Sequence, residues 1–166
     1  MRIRDEVPDD FSIVSEVLTA AFNSPGEAGL VDRLRDEAAP LVSLVAESSG
    51  VIVGHILFSP VTIENADAQL FGLAPMAVRP ADQRSGIGSA LVREGIARCV
   101  SLGAAGVIVL GHPDYYPRFG FVPASTFSIS STYDVPDEAF MALELSQGSL
   151  ASIAGVACYH PVFDTL

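Results

Sequence analysis

The stretch Val78-Arg79-Pro80-Ala81-Asp82-Gln83-Arg84-Ser85-Gly86-Ile87-Gly88-Ser89-Ala90 decides how this chain folds. It leaves an apolar run, Leu70 to Val78, crosses a polar turn and enters a segment of helical periodicity. There Gly88, Leu91, Val92, Gly95, Ile96, Cys99 and Val100 recur on one face, with Ser85, Ser89, Arg93 and Ser101 opposite. The pattern is strand, turn, helix, with glycines at the joint. A helix start exposes backbone N–H groups and the positive end of the dipole, and glycines let an anion approach them closely. A pyrophosphate suits such a joint, although close packing of a helix on a sheet would also call for glycines. The dinucleotide fingerprint Gly-x-Gly-x-x-Gly fails here, because its third glycine position is Leu91 and Gly103-Ala104-Ala105-Gly106 stands near the place of a ribose-binding acid.

Working outward, residues 1–4 read as a short strand. Pro8-Asp9-Asp10 supplies helix-start chemistry for Ile13, Val14, Val17, Leu18, Ala21 and Phe22. Asn23-Ser24-Pro25-Gly26 breaks that helix, and a weaker one carries Leu30, Val31 and Leu34. Leu41 to Ala46 and Val51 to Val61, joined at Ser48-Ser49-Gly50, form a hairpin signal. Pro75 interrupts the Leu70 to Val78 strand, as at an edge, bulge or splay. Beyond the central helix come a buried strand at Val107 to Leu110, a short helical turn among the prolines of 111–121, an extended piece, a polar loop, and a strand near Phe140 to Leu145. A final strand is expected around Gly155-Val156-Ala157-Cys158-Tyr159-His160, packing within the chain. This is a mixed α/β arrangement, with residues 1–146 as the domain and 147–166 as an extension packed on it.

The chain has 166 residues, 49% hydrophobic and 17% charged, enough to bury a core without staples. Its apolar runs are of strand length, so no membrane span is expected; with no secretory signal and two distant cysteines, free thiols in the cytoplasm are. All nine bases are arginine. Without lysine, neither a Walker loop nor a Schiff-base enzyme can be built. The net charge of −11 makes a nucleic-acid surface a poor expectation. Residues 79–118 nevertheless carry +2 and the rest −13, a layout suited to an anionic cofactor in the centre and a cationic substrate elsewhere, or simply to solubility. The cysteines and histidines lack zinc-ligand spacing, and there is no Gly-x-Ser-x-Gly elbow, so no metal and no acyl-serine are expected.

Gln83-Arg84-Ser85-Gly86-Ile87-Gly88 resembles the Gln/Arg-x-x-Gly-x-Gly/Ala motif of the GNAT superfamily of acyl-CoA-dependent N-acetyltransferases. Tyr116-Pro117-Arg118-Phe119-Gly120-Phe121 resembles that family's Tyr-x-x-x-Gly-Phe element, about 30 residues downstream, as the order of its elements requires. With Leu73-Ala74-Pro75-Met76-Ala77-Val78-Arg79-Pro80, the run is similar to the bacterial YhbS-like subgroup. The resemblance implies a three-layer α/β fold whose central, mostly antiparallel sheet splays between strands 4 and 5 and is flanked by helices. It implies acetyl-CoA as cosubstrate and a primary amine, on a small molecule or protein, attacking the thioester directly. A homodimer is common in such a family.

Residue by residue, the resemblance implies that the backbone N–H of Met76 or Ala77 stabilises the oxyanion, while Met76 and Val78 hold the pantetheine arm. Gln83, Arg84, Ser85, Gly86, Ile87, Gly88 and Ser89 surround the pyrophosphate, and Tyr115 and Phe119 wall the cofactor. Tyr116 is the general acid for the leaving thiolate. Many relatives carry a carboxylate base on the fourth strand, but this chain has Phe71, Gly72 and Leu73 there, which leaves Glu47, His55 or a water chain. Glu47 could equally be a solvated hairpin residue and His55 a core histidine. The missing carboxylate keeps a second class in view, a non-catalytic acyl-CoA-binding sensor or complex subunit.

Overall fold

The polar and apolar alternation resolves, in a computed structural model that describes residues 1–165, into nine strands and three helices joined by short 3-10 turns. The residues divide into two units. One comprises Met1–Ser59, Ala74–Arg98 and the chain from Pro161 on; the other comprises Pro60–Leu73 and Cys99–His160.

In the first unit, β1 (Arg2–Asp5) leads to α1 (Phe11–Phe22) through a turn at Pro8–Asp10. The Asp10 carboxylate accepts the Val7 N–H at 2.8 Å and an Arg4 hydrogen bond at 2.7 Å, anchoring the helix start. Asn23, left-handed at φ 54°, ends α1, and α2 (Gly26–Glu37) follows. β2 (Val42–Ser48) and β3 (Val51–Ile63) pair antiparallel with Val45 opposite His55, closed by Ser49 and Gly50, both at positive φ. The N–H of Arg79 bonds Val53 O at 2.8 Å and ties the end of β4 (Leu70–Val78) to β3. Val45, Leu57 and Ala77 pack in one core with Val14, Val17 and Leu18 of α1 and with Leu30, Val31 and Leu34 of α2. The other face meets α3 (Ile87–Ser101), where a Cβ on Gly95 would fall inside the Phe58 ring and one on Gly54 would lie 3.1 Å from Leu91. Two of the glycines therefore serve close packing.

In the second unit, β4 pairs parallel with β5 (Gly106–Leu110) over Leu70–Gly72 and Gly106–Ile108 only. β5 continues antiparallel to β8 (Phe140–Glu144), which takes the two-residue β6 (Val122–Pro123) on its far side. β9 (Gly155–Cys158) pairs antiparallel with the end of β3, Thr62 opposite Cys158, and parallel with β7 (Ile129–Ser131). The final strand pairs with strands of its own chain, and β7 lies in what reads as a polar loop. Val61, Ile63, Leu70, Ile108, Phe140, Ala142 and Ala157 form this unit's core. The mixed α/β class, the mostly antiparallel sheet and the short β4–β5 parallel register match the expected fold. Cys99 and Cys158 are free thiols. Among the described residues no helix is long and apolar enough to cross a membrane.

Candidate active site

β4 ends with Ala77 buried between the partly exposed Met76 and Val78. The turn beyond it is stiffened by its own side chains. Arg79 pairs with Asp82 at 2.7 Å, Gln83 donates to Val78 O at 3.0 Å, and the Ser85 hydroxyl donates to Asp82 O. Arg84 and Gly86 both take the left-handed conformation, φ 63° and 87°, and so curl the loop on either side of Ser85. Turns of this kind gather backbone N–H groups into concave anion sites. Gln83, Arg84, Ser85 and Gly86 are exposed, Gly88 and Ser89 partly so, and Ile87 is buried as the anchor. The Ala90 N–H bonds Gly86 O at 3.1 Å, opening the helix at the glycine. A Cβ at Gly86 would meet nothing within 4 Å, so this glycine serves backbone conformation, unlike Gly95.

The two base candidates lie in the same unit in different surroundings. Glu47 accepts from Arg4 at 2.8 and 2.6 Å, and Arg4 also grips Asp10, whose carboxyl it holds below the usual range. His55 is fully buried. Its Nε2 lies 2.8 Å from Ser43 Oγ, which donates its single proton to Glu6 Oε1 at 2.9 Å. Arg35 occupies the same Glu6 carboxylate at 3.1 and 2.6 Å. A carboxylate only accepts, so the Ser43 oxygen must take the His55 Nε2–H, an assignment that places the imidazole lone pair on Nδ1. Burial, then the Arg35 charge, push the His55 pKa down to about 3, so the ring is neutral.

The second unit holds the aromatic candidates. Tyr116 opens a 3-10 turn, Tyr116–Phe119, closed by Gly120 at φ 99°. Its ring is buried over Gly111, with Tyr115 edge-on at 5.0 Å and Phe121 at 5.7 Å. Phe119 stands 5.3 Å from Tyr115, and the Arg118 guanidinium lies 4.5 Å over the Tyr115 ring. Burial, reinforced by Tyr115, pushes the Tyr116 phenol up to about 12, so it carries its proton throughout the neutral range. The structure thus places Met76 to Val78 and the 83–89 loop in sequence on one unit, and gathers Tyr115, Tyr116 and Phe119 in the other.

One residue escaped the sequence reading. The Tyr159 ring, next to β9, fills the space a side chain at Gly72 would occupy. An isolated glycine inside a strand is the signal that could have announced such a close approach.

Residues 11–121 match the Acetyltransferase (GNAT) family. The chain is 34% identical over 165 residues to the uncharacterized N-acetyltransferase YhbS of Escherichia coli K12, covering 99% of each. The crystal structure of E. coli YhbS in complex with CoA superposes with a TM-score of 0.92 at 33% identity, covering 98% of this chain and 91% of that one. A GNAT family acetyltransferase from Brucella melitensis, solved with acetyl-CoA, superposes with a TM-score of 0.82 at 37% identity, covering 98% of this chain and 97% of that one.

Proposed function

The chain belongs to the acetyltransferase (GNAT) family, and we propose that it transfers an acetyl group from acetyl-CoA to a primary amine of a small molecule or protein, by direct attack. The observation that carries this reading is the left-handed loop at Arg84 and Gly86 opening onto α3, in a chain similar throughout to proteins solved with CoA and acetyl-CoA. In this reading the amides of residues 84–89 hold the pyrophosphate, with Arg84 exposed beside them for a phosphate oxygen. Met76 and Val78 line the pantetheine arm, and the N–H of Met76 or Ala77 stabilises the oxyanion that forms as the amine adds to the thioester carbon. Tyr115 and Phe119 wall the cofactor.

Tyr116 donates to the departing sulfur. Full proton transfer from a phenol near 12 to a thiolate of pKa about 8.5 is uphill in the resting protein. Its contribution is therefore a hydrogen bond that strengthens as charge builds on sulfur. His55, sealed from water and pushed down to about 3, can neither meet an ammonium nor hold its proton, which leaves Glu47, partly open but held by Arg4, or solvent as the acceptor of that proton. The −13 carried outside residues 79–118 supports a cationic acceptor.

The test is release of the CoA thiol from acetyl-CoA across a panel of polyamines, amino acids, aminoglycosides and peptides, each cationic amine paired with a neutral analogue. Tyr116→Phe should lower kcat by about 100-fold or more while acetyl-CoA binding stays unchanged. An unaltered rate would remove Tyr116 from the mechanism. Tight CoA binding with no thiol release by the unaltered chain would favour the non-catalytic acyl-CoA-binding reading, to which the absence of a carboxylate at Phe71-Gly72-Leu73 lends support.

A further inference from the structure

β4 carries no carboxylate, so the acids packed around its end decide what an ammonium can meet there. The buried or partly buried carboxylates of the first unit are Glu6, Asp10, Glu27, Glu47, Asp82 and Glu94. All but Glu27 are held by arginine. Arg35 holds Glu6 at 2.6 Å, and Arg4 holds Asp10 at 2.7 Å and Glu47 at 2.6 Å. Arg79 holds Asp82 at 2.7 Å, and Arg98 holds Glu94 at 3.2 Å. Among the described residues nothing donates to Glu27 Oε2, although that oxygen is shut off from solvent.

Glu27 stands in the first turn of α2, where a negative charge suits the positive helix end. An exposed side chain would serve that purpose equally, whereas taking a carboxylate oxygen out of water without a donor costs free energy. The surroundings supply room instead of a donor. Glu27 lines an open cleft of about 490 Å³ with Ser24, Gly26, Gly29, Leu30 and Arg33. A Cβ on Gly29 would meet nothing within 4 Å, so this glycine is not required by packing and leaves the cleft wide. Leu30 lines the cleft and is itself buried in the core that includes Ala77 of β4 and Ala28 and Val31 of α2. Cleft and strand end therefore belong to one unit, backed by one core. Arg33 is exposed and pairs only loosely, with Glu37 at 3.5 Å.

We infer that Glu27 holds the ammonium of the acceptor in this cleft, with the carbon chain along Leu30, and that Arg33 selects what the far end carries. The substrate class is a primary alkylamine with a neutral or anionic far end. A second ammonium there would meet the Arg33 charge, whereas a carboxylate would pair with it. Positions 27 and 33 lie about 9 Å apart along the helix axis, which a six-carbon amino acid can bridge. The acceptor is then cationic at its reacting end alone. Glu27 binds and orients that end, and the proton lost before attack leaves to solvent through the open cleft. This rests on the acetyltransferase reading above.

The test follows CoA thiol release by the full chain from acetyl-CoA with 6-aminohexanoate and 1,5-diaminopentane, which differ only at the far end. The unaltered protein should prefer 6-aminohexanoate. Glu27→Gln should raise KM for both amines by roughly 10-fold or more, the worth of a hydrogen bond to a charged group, with KM for acetyl-CoA unchanged. Glu27→Asp, which keeps the charge on a shorter arm, should recover part of that loss. Arg33→Gln should raise KM for 6-aminohexanoate alone. Thermal unfolding of each variant separates these signatures from loss of fold. Unaltered amine KM in Glu27→Gln, or an equal rise in KM for acetyl-CoA, overturns the inference while leaving the acetyltransferase reading standing. A preference for 1,5-diaminopentane, or turnover of other amines and neither of these two, overturns the substrate class. No thiol release by the unaltered chain with any amine overturns both readings.

Discussion

His55 should make the fold sensitive to mild acid, by an amount the structure allows to be worked out. In the folded chain the ring is sealed from water, with Arg35 adding its charge against protonation and Glu6, 3.6 Å away, opposing it without prevailing. Its pKa is about 3 folded and about 6.5 unfolded. Below pH 6.5 the unfolded chain therefore binds a proton that the folded chain refuses, and stability falls as pH falls. At pH 5 the unfolded histidine is 1.5 pH units below its pKa, while the folded one is still well above its own. At about 1.4 kcal/mol per unit, His55 alone should cost about 2 kcal/mol between pH 7.5 and 5. Urea unfolding at the two pH values, on the unaltered chain and on His55→Gln, isolates the effect. Glutamine retains a donor toward Ser43 and cannot titrate, and the carboxylates, Asp10 included, contribute alike to both proteins. The unaltered chain should lose about 2 kcal/mol more than the variant over this interval. Parallel losses would refute the reasoning and mean that His55 gains a compensating partner when protonated.

Two glycines of the α3 region make contrasting predictions. Gly95→Ala places a methyl group in the Phe58 ring, and overpacking of about 1–3 kcal/mol should outweigh the roughly 1 kcal/mol gained in helix propensity. A lowered Tm is expected, and a raised one would show that Phe58 yields. Gly86→Ala meets no neighbour but disfavours φ 87° by about 1–2 kcal/mol, a cost the exposed loop escapes in the free protein by relaxing and meets only when CoA requires the turn. Calorimetric titration with CoA should show binding weakened roughly tenfold, with Tm little changed; unaltered affinity would mean that the loop's left-handed turn is not needed for the phosphates.

Much of the first unit was legible because its signals are local. The Ser48-Ser49-Gly50 turn announced the β2–β3 hairpin, and the periodicity from Gly88 to Val100 announced α3. Gln83 to Gly88 and Tyr116 to Phe121, taken together, point to the family by themselves. The second unit was harder to read. β7 is three residues in a serine- and threonine-rich loop, held by pairing with β9 rather than by any pattern of its own. Glu47 and His55 look alike as candidates in sequence, one polar residue on each strand of a hairpin. Only the fold shows one gripped by Arg4 at a partly open edge and the other sealed in a Glu6–Ser43 chain beside Arg35.

From the sequence alone came the longer elements, the lysine-free charge layout, the glycine-bearing joint of strand, turn and helix, and the family, since each is written in neighbouring residues through backbone preference and hydrophobic period. The tertiary structure decided which glycine turns the backbone and which admits a neighbour, which phenol is sealed and which partly open, and that Tyr159 stands over Gly72. These depend on burial and on register between segments far apart in the chain, where a missing side chain acquires meaning only from the ring that takes its place.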